Sequence, residues 1–481
     1  MREKKFLLKF KTSIFLSISI FVLSCGGGGG NNIPSNPLPV PFTWVVDTPE
    51  SQGLSSAKVQ DALDFAMADG RYSQAAMIIK NGKIIGERYR GMGPNEKTAI
   101  TNHATSNWTE EALDLYYGSR SANSLATSWS VAKSFTSIIF GIADTYNPNY
   151  FPNGLDTTAA TFLTEWANDA RNTITIKNIL DMRSGLEPAC YDSQTSSWAV
   201  CSANNIGSGG GMVGATDQLI GCINRNLAAT GQPHDWYRPG IVPAPNFEAG
   251  YFLYSNCDTM ILGEIFYRAV GQDIKSFGDT HLFSKLNISA DWWRDNSTGG
   301  QANGNYLSYC CIDMTTRDFA KVALLLMNDG VWQGEQIIPL SYVQAIKNIT
   351  TSSVITEAFG GVQSYGLKFW SLYGGSNCGG TGVQVGTGDQ KCVPDNTIIT
   401  PIGFDGQYML MDFTNNLIMI RFSLYLPVEQ ANSEKKMTVS DPANLAYIVT
   451  APTVVTSTSD PANVPLSVFF PAAEYWYRLN N

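Results

Sequence analysis

Ser130 and Lys133 stand three residues apart in Thr127-Ser128-Trp129-Ser130-Val131-Ala132-Lys133-Ser134-Phe135, a spacing that places both on one face of a helix. A serine hydroxyl becomes a useful nucleophile at neutral pH only with a base in hydrogen-bond reach. A lysine can be that base where burial or a neighbouring cation lowers its pKa. The first helical turn adds free backbone N–H groups and a positive dipole end, both suited to a developing oxyanion. Val131, Phe135, Ile138, Ile139 and Ile142 form the apolar stripe that would bury this helix. Ser-x-x-Lys also occurs at Ser55 to Lys58 and at Ser433 to Lys436, where it reads as solvated helix face or loop.

A second set lies at Tyr254-Ser255-Asn256, ahead of the apolar helix pattern Thr259-Met260-Ile261-Leu262-Gly263-Glu264-Ile265. A phenol near a lysine can shuttle a proton, and an asparagine amide can hold the lysine or a substrate carbonyl. The adjacent His234 and Asp235 could be a base and its orienter, but neighbouring residues seldom face each other. No Gly-x-Ser-x-Gly elbow accompanies them. They read as surface or packing residues.

Trp129-Ser130-Val131-Ala132-Lys133-Ser134-Phe135, then Ile174 to Leu186, then Tyr254-Ser255-Asn256, then Asp313 to Leu326 occur in an order that resembles the serine β-lactamase and penicillin-binding superfamily. Within it, the chain is most similar to the β-lactamase-related esterases and amidases of the 6-aminohexanoate-dimer hydrolase group, from about residue 44 to about 425. The resemblance implies Ser130 as nucleophile and Lys133 and Tyr254 as its proton-handling partners, with Asn256 toward substrate. It implies an α/β (α+β) fold of β-lactamase/transpeptidase type, an antiparallel sheet flanked by helices plus a mostly helical subdomain.

The resemblance weakens at the third motif. The superfamily's Lys-Thr-Gly, or its His-x-Gly variant, has no counterpart; the best match is Gly403-Phe404-Asp405-Gly406-Gln407. Phe404 or Asp405 would occupy the cation's place, and the Gln407 N–H, reached through Gly406, would join that of Ser130 in an oxyanion hole. β-Lactams and peptidoglycan stems present a carboxylate, which Asp405 would repel. A neutral ester or linear amide is the expected small-molecule substrate. A true β-lactamase or DD-peptidase, and a non-catalytic binding lipoprotein on this fold, are the alternatives.

The elements that must position these residues are partly visible. Ser56 to Met67 has helical spacing. Ala75–Lys80 and Ile84–Tyr89 read as strands joined by Asn81-Gly82, and Tyr408–Asp412 and Leu417–Phe422 as strands joined near Asn415-Asn416. Residues 91–125 read as an irregular polar insertion, and residues 187–247 as an extended loop. Gly185 is expected to close a helix beginning near Ile174, and Thr315 to cap the one after it. The catalytic domain is expected over 42–450, its sheet from 42–125 and 355–430 and its helical region from 130–350. The tail, 451–481, should pack on its surface.

Residues 1–25 have a basic start, an apolar stretch from Thr12 to Leu23, and Leu23-Ser24-Cys25. This resembles a lipoprotein-type signal peptide in which Cys25 is lipidated, ahead of a Gly- and Pro-rich tether over 26–41. Export to a bacterial cell envelope with a lipid anchor in a membrane is the expectation. Net charge is −9, with no basic cluster outside the leader, which argues against nucleic acid as a partner. The nine cysteines suit an oxidising compartment. Cys190 with Cys201, and Cys378 with Cys392, are the expected local bridges. With no Cys-x-x-Cys and three scattered histidines, no metal and no cofactor are expected.

Overall fold

A computed structural model describes residues 42–102, 109–187, 189–192, 195–200, 212, 215–227, 254–301, 304–349, 354–355, 363–372, 398–403, 406–423 and 472–480. Ser55 starts helix α1 (Ser56–Ala66) by accepting from the Ala57 N–H, filling a donor that a helix start leaves unpaired. A hairpin follows, β1 (Ser73–Lys80) and β2 (Lys83–Tyr89). Asn81 and Gly82 join its strands with φ of 51° and 76°, the two positive values of a type I′ turn. Strand β3 (Leu125–Thr127) leads through a 3-10 turn, Trp129–Val131, into α2 (Ala132–Tyr146).

The middle of the chain supplies α3 (Ile176–Leu180), α4 (Gln218–Ile223) and α5 (Asn256–Val270). Strands β4 (Asp291–Trp292) and β5 (Ile312–Thr315) follow, with β5 paired between β3 and β4, and then α6 (Thr316–Met327). The last third gives β6 (Val354–Ile355), β7 (Gln363–Gly366), β8 (Phe369–Leu372), β9 (Ile398–Thr400), β10 (Ile402–Gly403), β11 (Gln407–Asp412) and β12 (Leu417–Ser423). Helix α7 (Ala472–Asn480) comes last.

The main sheet is antiparallel in the order β6-β7-β8-β9-β11-β12-β1-β2, with β10 paired to β11. Met77 of β1 lies opposite Ile420 of β12, so the early hairpin completes a sheet made by the late strands. Alternate residues feed two cores. Met77, Ile79, Met409, Met411, Ile418 and Ile420 face the cluster that holds α2 and α6. Ala76, Ile78, Leu410 and Met419 face α1 and α7. Period-2 alternation thus reads as a sheet covered on both faces, and each large side chain so buried contributes about 1.5–3 kcal/mol. On the second face the Trp476 indole donates to Asp412 Oδ2 at 2.9 Å, fastening α7 to the end of β11.

Two local expectations are corrected, and two further disulfides are found. Residues 91–125 are not irregular throughout: Pro94–Thr101 and Glu110–Tyr117 are helices. Pro94 is pre-set for a first turn, and Glu96 is buried because Arg90 and the Gly70, Tyr72 and Gly93 N–H groups all donate to it. Gly185 does not close α3, which stops at Leu180 with Met182 at φ 57°. Cysteine spacing missed the bridge Cys222–Cys257, which joins α4 to α5, and Cys310–Cys311. Cys190 is disulfide-bonded; Cys201, Cys378 and Cys392, like Cys25 and the 1–41 leader and tether, lie outside the described residues.

Candidate active site

Ser130 sits in the 3-10 turn that starts α2, after Trp129, whose φ is 46°. A bulky residue held there is strained and persists only where its surroundings fix it. Cys311 N–H and the Ser128 hydroxyl both donate to the Trp129 carbonyl, and Ile312 N–H donates to Ser128 Oγ at 2.8 Å. The turn is therefore clamped to β5 and presents a half-buried Ser130.

One helical turn on, Lys133 is 1% exposed. Its Nζ lies 2.8 Å from Ser130 Oγ, 2.8 Å from Asn256 Oδ1 and 2.8 Å from the Tyr309 carbonyl. The second and third of these can only accept. A neutral amine has two N–H donors and one lone pair, so those two acceptors use its hydrogens and leave the lone pair facing the Ser130 hydroxyl. Burial pushes the Lys133 pKa well below the usual lysine range, and the nearby Lys368 adds like-charge repulsion.

Tyr254 hydrogen-bonds Ser130 through its hydroxyl, and its ring stands 5.0 Å from Lys133 Nζ. Burial pushes this phenol far above its usual range, opposed by the bond to Ser130, so Tyr254 stays a neutral hydroxyl able to accept one proton and donate another. Trp370 stacks on its ring at 5.6 Å, with Tyr365 edge-on at 6.0 Å. The residues expected from both motifs, Ser130, Lys133, Tyr254 and Asn256, meet at one point.

The tyrosine side rests on a buried ion pair. Ser255 caps α5 by accepting from the Asp258 N–H, and Arg225 donates to Ser255 Oγ at 3.2 Å. Arg225 also pairs with Asp258 at 2.8 Å, both side chains being at most 2% exposed. Replacing one partner strands the other charge in a dry site. Arg225→Met is expected to cost about 3–5 kcal/mol of stability, read as a lowered urea midpoint; an unchanged midpoint would show that Asp258 needs no cation.

The third motif is only partly placed. A Cβ on Gly403 would lie 2.4 Å from the Ser128 carbonyl oxygen, so glycine is what lets β10 approach the serine turn. Gly406 has φ 78°, and its carbonyl accepts from the buried Arg421 at 2.7 Å. Gln407 pairs with Gly403 in the β10–β11 register, and its side chain is committed to Ser423. Phe404 and Asp405, with His234 and Asp235, lie outside the described residues. Tyr309 was missed by sequence reasoning because it acts through its carbonyl, which no side-chain motif records. No group of three His, Cys, Asp or Glu able to hold a metal occurs among the described residues.

No protein-family model and no curated protein matches the chain. Among solved structures, a Bacillus anthracis protein assigned as a 6-aminohexanoate-dimer hydrolase is similar at TM-score 0.50 and 16% identity, over 92% of this chain and 89% of that one. EstCE1, described as a hydrolase with promiscuous acyltransferase activity, gives TM-score 0.48 and 12% identity over 78% and 94%. An octameric penicillin-binding protein homologue from Pyrococcus abyssi gives 0.46 and 16% over 79% and 76%. The fold is of the β-lactamase/transpeptidase type, as the sequence resemblance implied.

Proposed function

We propose that this protein is an exported serine hydrolase that cleaves a neutral ester or linear amide through an acyl-enzyme on Ser130. The observation that carries the reading is the set of partners around Lys133, which occupies both hydrogens of a neutral amine and aims its lone pair at Ser130. In the first step Ser130 Oγ attacks the acyl carbonyl and its proton passes to Lys133 Nζ. Backbone N–H groups of Ser130 and Gln407 receive the oxyanion. The Tyr254 hydroxyl relays the proton to the leaving group as the carbon–heteroatom bond breaks. Water then adds to the Ser130 ester, giving its proton to the same base, and releases the acid. The basic start, apolar stretch and Cys25 of the leader support export with a lipid at Cys25.

The test is turnover of p-nitrophenyl butyrate beside a chromogenic cephalosporin by the purified protein. Ester hydrolysis without β-lactam turnover is expected. Comparable β-lactam turnover would replace the reading with a β-lactamase. Neither turnover nor acylation, from folded protein, would leave a binding module. For the ester, kcat/KM should rise with pH as Lys133 loses its proton, with the limb below the ordinary lysine value of about 10.4. A pH–rate profile whose limb sits at that ordinary value would contradict Lys133 as the base.

A further inference from the structure

The turn between β7 and β8 is made by Leu367 and Lys368, with φ of 49° and 64°. Two positive φ values at a hairpin turn favour Asn-Gly or Gly-Gly, and a leucine and a lysine there are strained. The surroundings hold them. Leu367 N–H donates to Asp181 Oδ1 at 2.8 Å, and Lys368 N–H donates to the Leu180 carbonyl at 3.1 Å. The Lys368 carbonyl accepts from Ser134 Oγ at 2.6 Å, one residue past Lys133. The side chain turns inward, 1% exposed, and Nζ donates to the Ile179 carbonyl at 2.6 Å and to Met182 Sδ at 3.2 Å. Among the described residues, no carboxylate forms an ion pair with it.

We propose that Lys368 is a positioning residue of the Ser130 site: its buried ammonium, pinned beside α2 by the β7–β8 turn, opposes a second positive charge on Lys133 and so keeps that amine in the form that accepts the serine proton. The inference rests on Lys133 being the base of the hydrolase proposed above. The groups around the pair are Asp181 at the end of α3, itself paired with Lys177; Asp258 of α5, paired with Arg225; and Tyr254 and Tyr309 beside Lys133. Burial brings the Lys368 pKa down to about 7 against the pull of Asp258 and Asp181. The two side chains meet the same short stretch of chain: Met182 Sδ, which accepts from Lys368 Nζ, also accepts from the Ser255 N–H at 3.4 Å, and the next residue, Asn256, accepts from Lys133 Nζ.

The experiment is a pH titration of the full chain carrying ¹³Cε-lysine, with the Lys133 resonance identified by its loss in Lys133→Arg. In Lys368→Met, which keeps an unbranched chain in the sulfur-lined site, the Lys133 midpoint should move up by roughly one pH unit. The acid limb of ester kcat/KM should move the same way, with KM unchanged. An unmoved Lys133 midpoint in the folded variant overturns the inference. Wild-type protein gives a check that needs no variant: Lys133 should titrate in two steps, one at the Lys368 midpoint, and a single step overturns the inference. Absence of ester turnover would remove the hydrolase reading, while the Lys133 titration would still decide the pairing.

Discussion

Ser130→Ala is expected to lower kcat for a p-nitrophenyl ester at least about 10⁴-fold, the scale of losing the nucleophile of a serine hydrolase. The substitution removes one oxygen from a half-buried position and leaves the clamped turn intact: the Trp129 carbonyl and Ser128 Oγ keep their partners on Cys311 and Ile312. Lys133 keeps its bonds to Asn256 and Tyr309. Stability should therefore change by no more than about 2 kcal/mol, the size of the two hydrogen bonds lost to Lys133 and Tyr254. The pair of results matters. Lost turnover in a folded variant places the chemistry on Ser130; lost turnover with lost structure would show only that the turn is fragile. Full activity in the variant would exclude Ser130 as nucleophile.

Tyr254→Phe should cost roughly 10²–10⁴ in kcat, the contribution of a positioned acid–base group, with little change in KM. The Phe ring can keep the stack on Trp370 and the edge contact with Tyr365. The hydroxyl bonded to Ser130 is what is lost. Burial holds the phenol neutral and drives Lys133 toward the neutral amine, which fits the proposed division of work, in which Lys133 takes the serine proton and Tyr254 passes it to the leaving group. A variant with unchanged kinetics would remove Tyr254 from the relay.

Much of this site was legible because its groups act through side chains at short, fixed spacings. Ser130 and Lys133 share one helical face, and Tyr254 and Asn256 flank one helix start. The hairpins were legible for a similar reason, since Asn81-Gly82 has the backbone freedom its turn requires. What was hidden works through the backbone or through distant sequence. The Tyr309 carbonyl, 176 residues from Lys133, carries no side-chain signature. Lys368 occupies a turn that its residue type disfavours, so local propensity argues against the conformation that tertiary contacts impose. The helix Pro94–Thr101 was hidden by its polar composition, because it is anchored by the buried Glu96 and the part-buried Arg90 rather than by an apolar stripe. Gly403 marks the third motif through close approach to Ser128, which a glycine in sequence only permits.

The most direct test of the account is mass spectrometry of the protein quenched during turnover of a short-chain p-nitrophenyl ester. The account predicts one added acyl group, found on the peptide that holds Ser130, appearing before steady state and decaying once substrate is exhausted. Turnover with no adduct at Ser130, or with the acyl group on another residue, would contradict it.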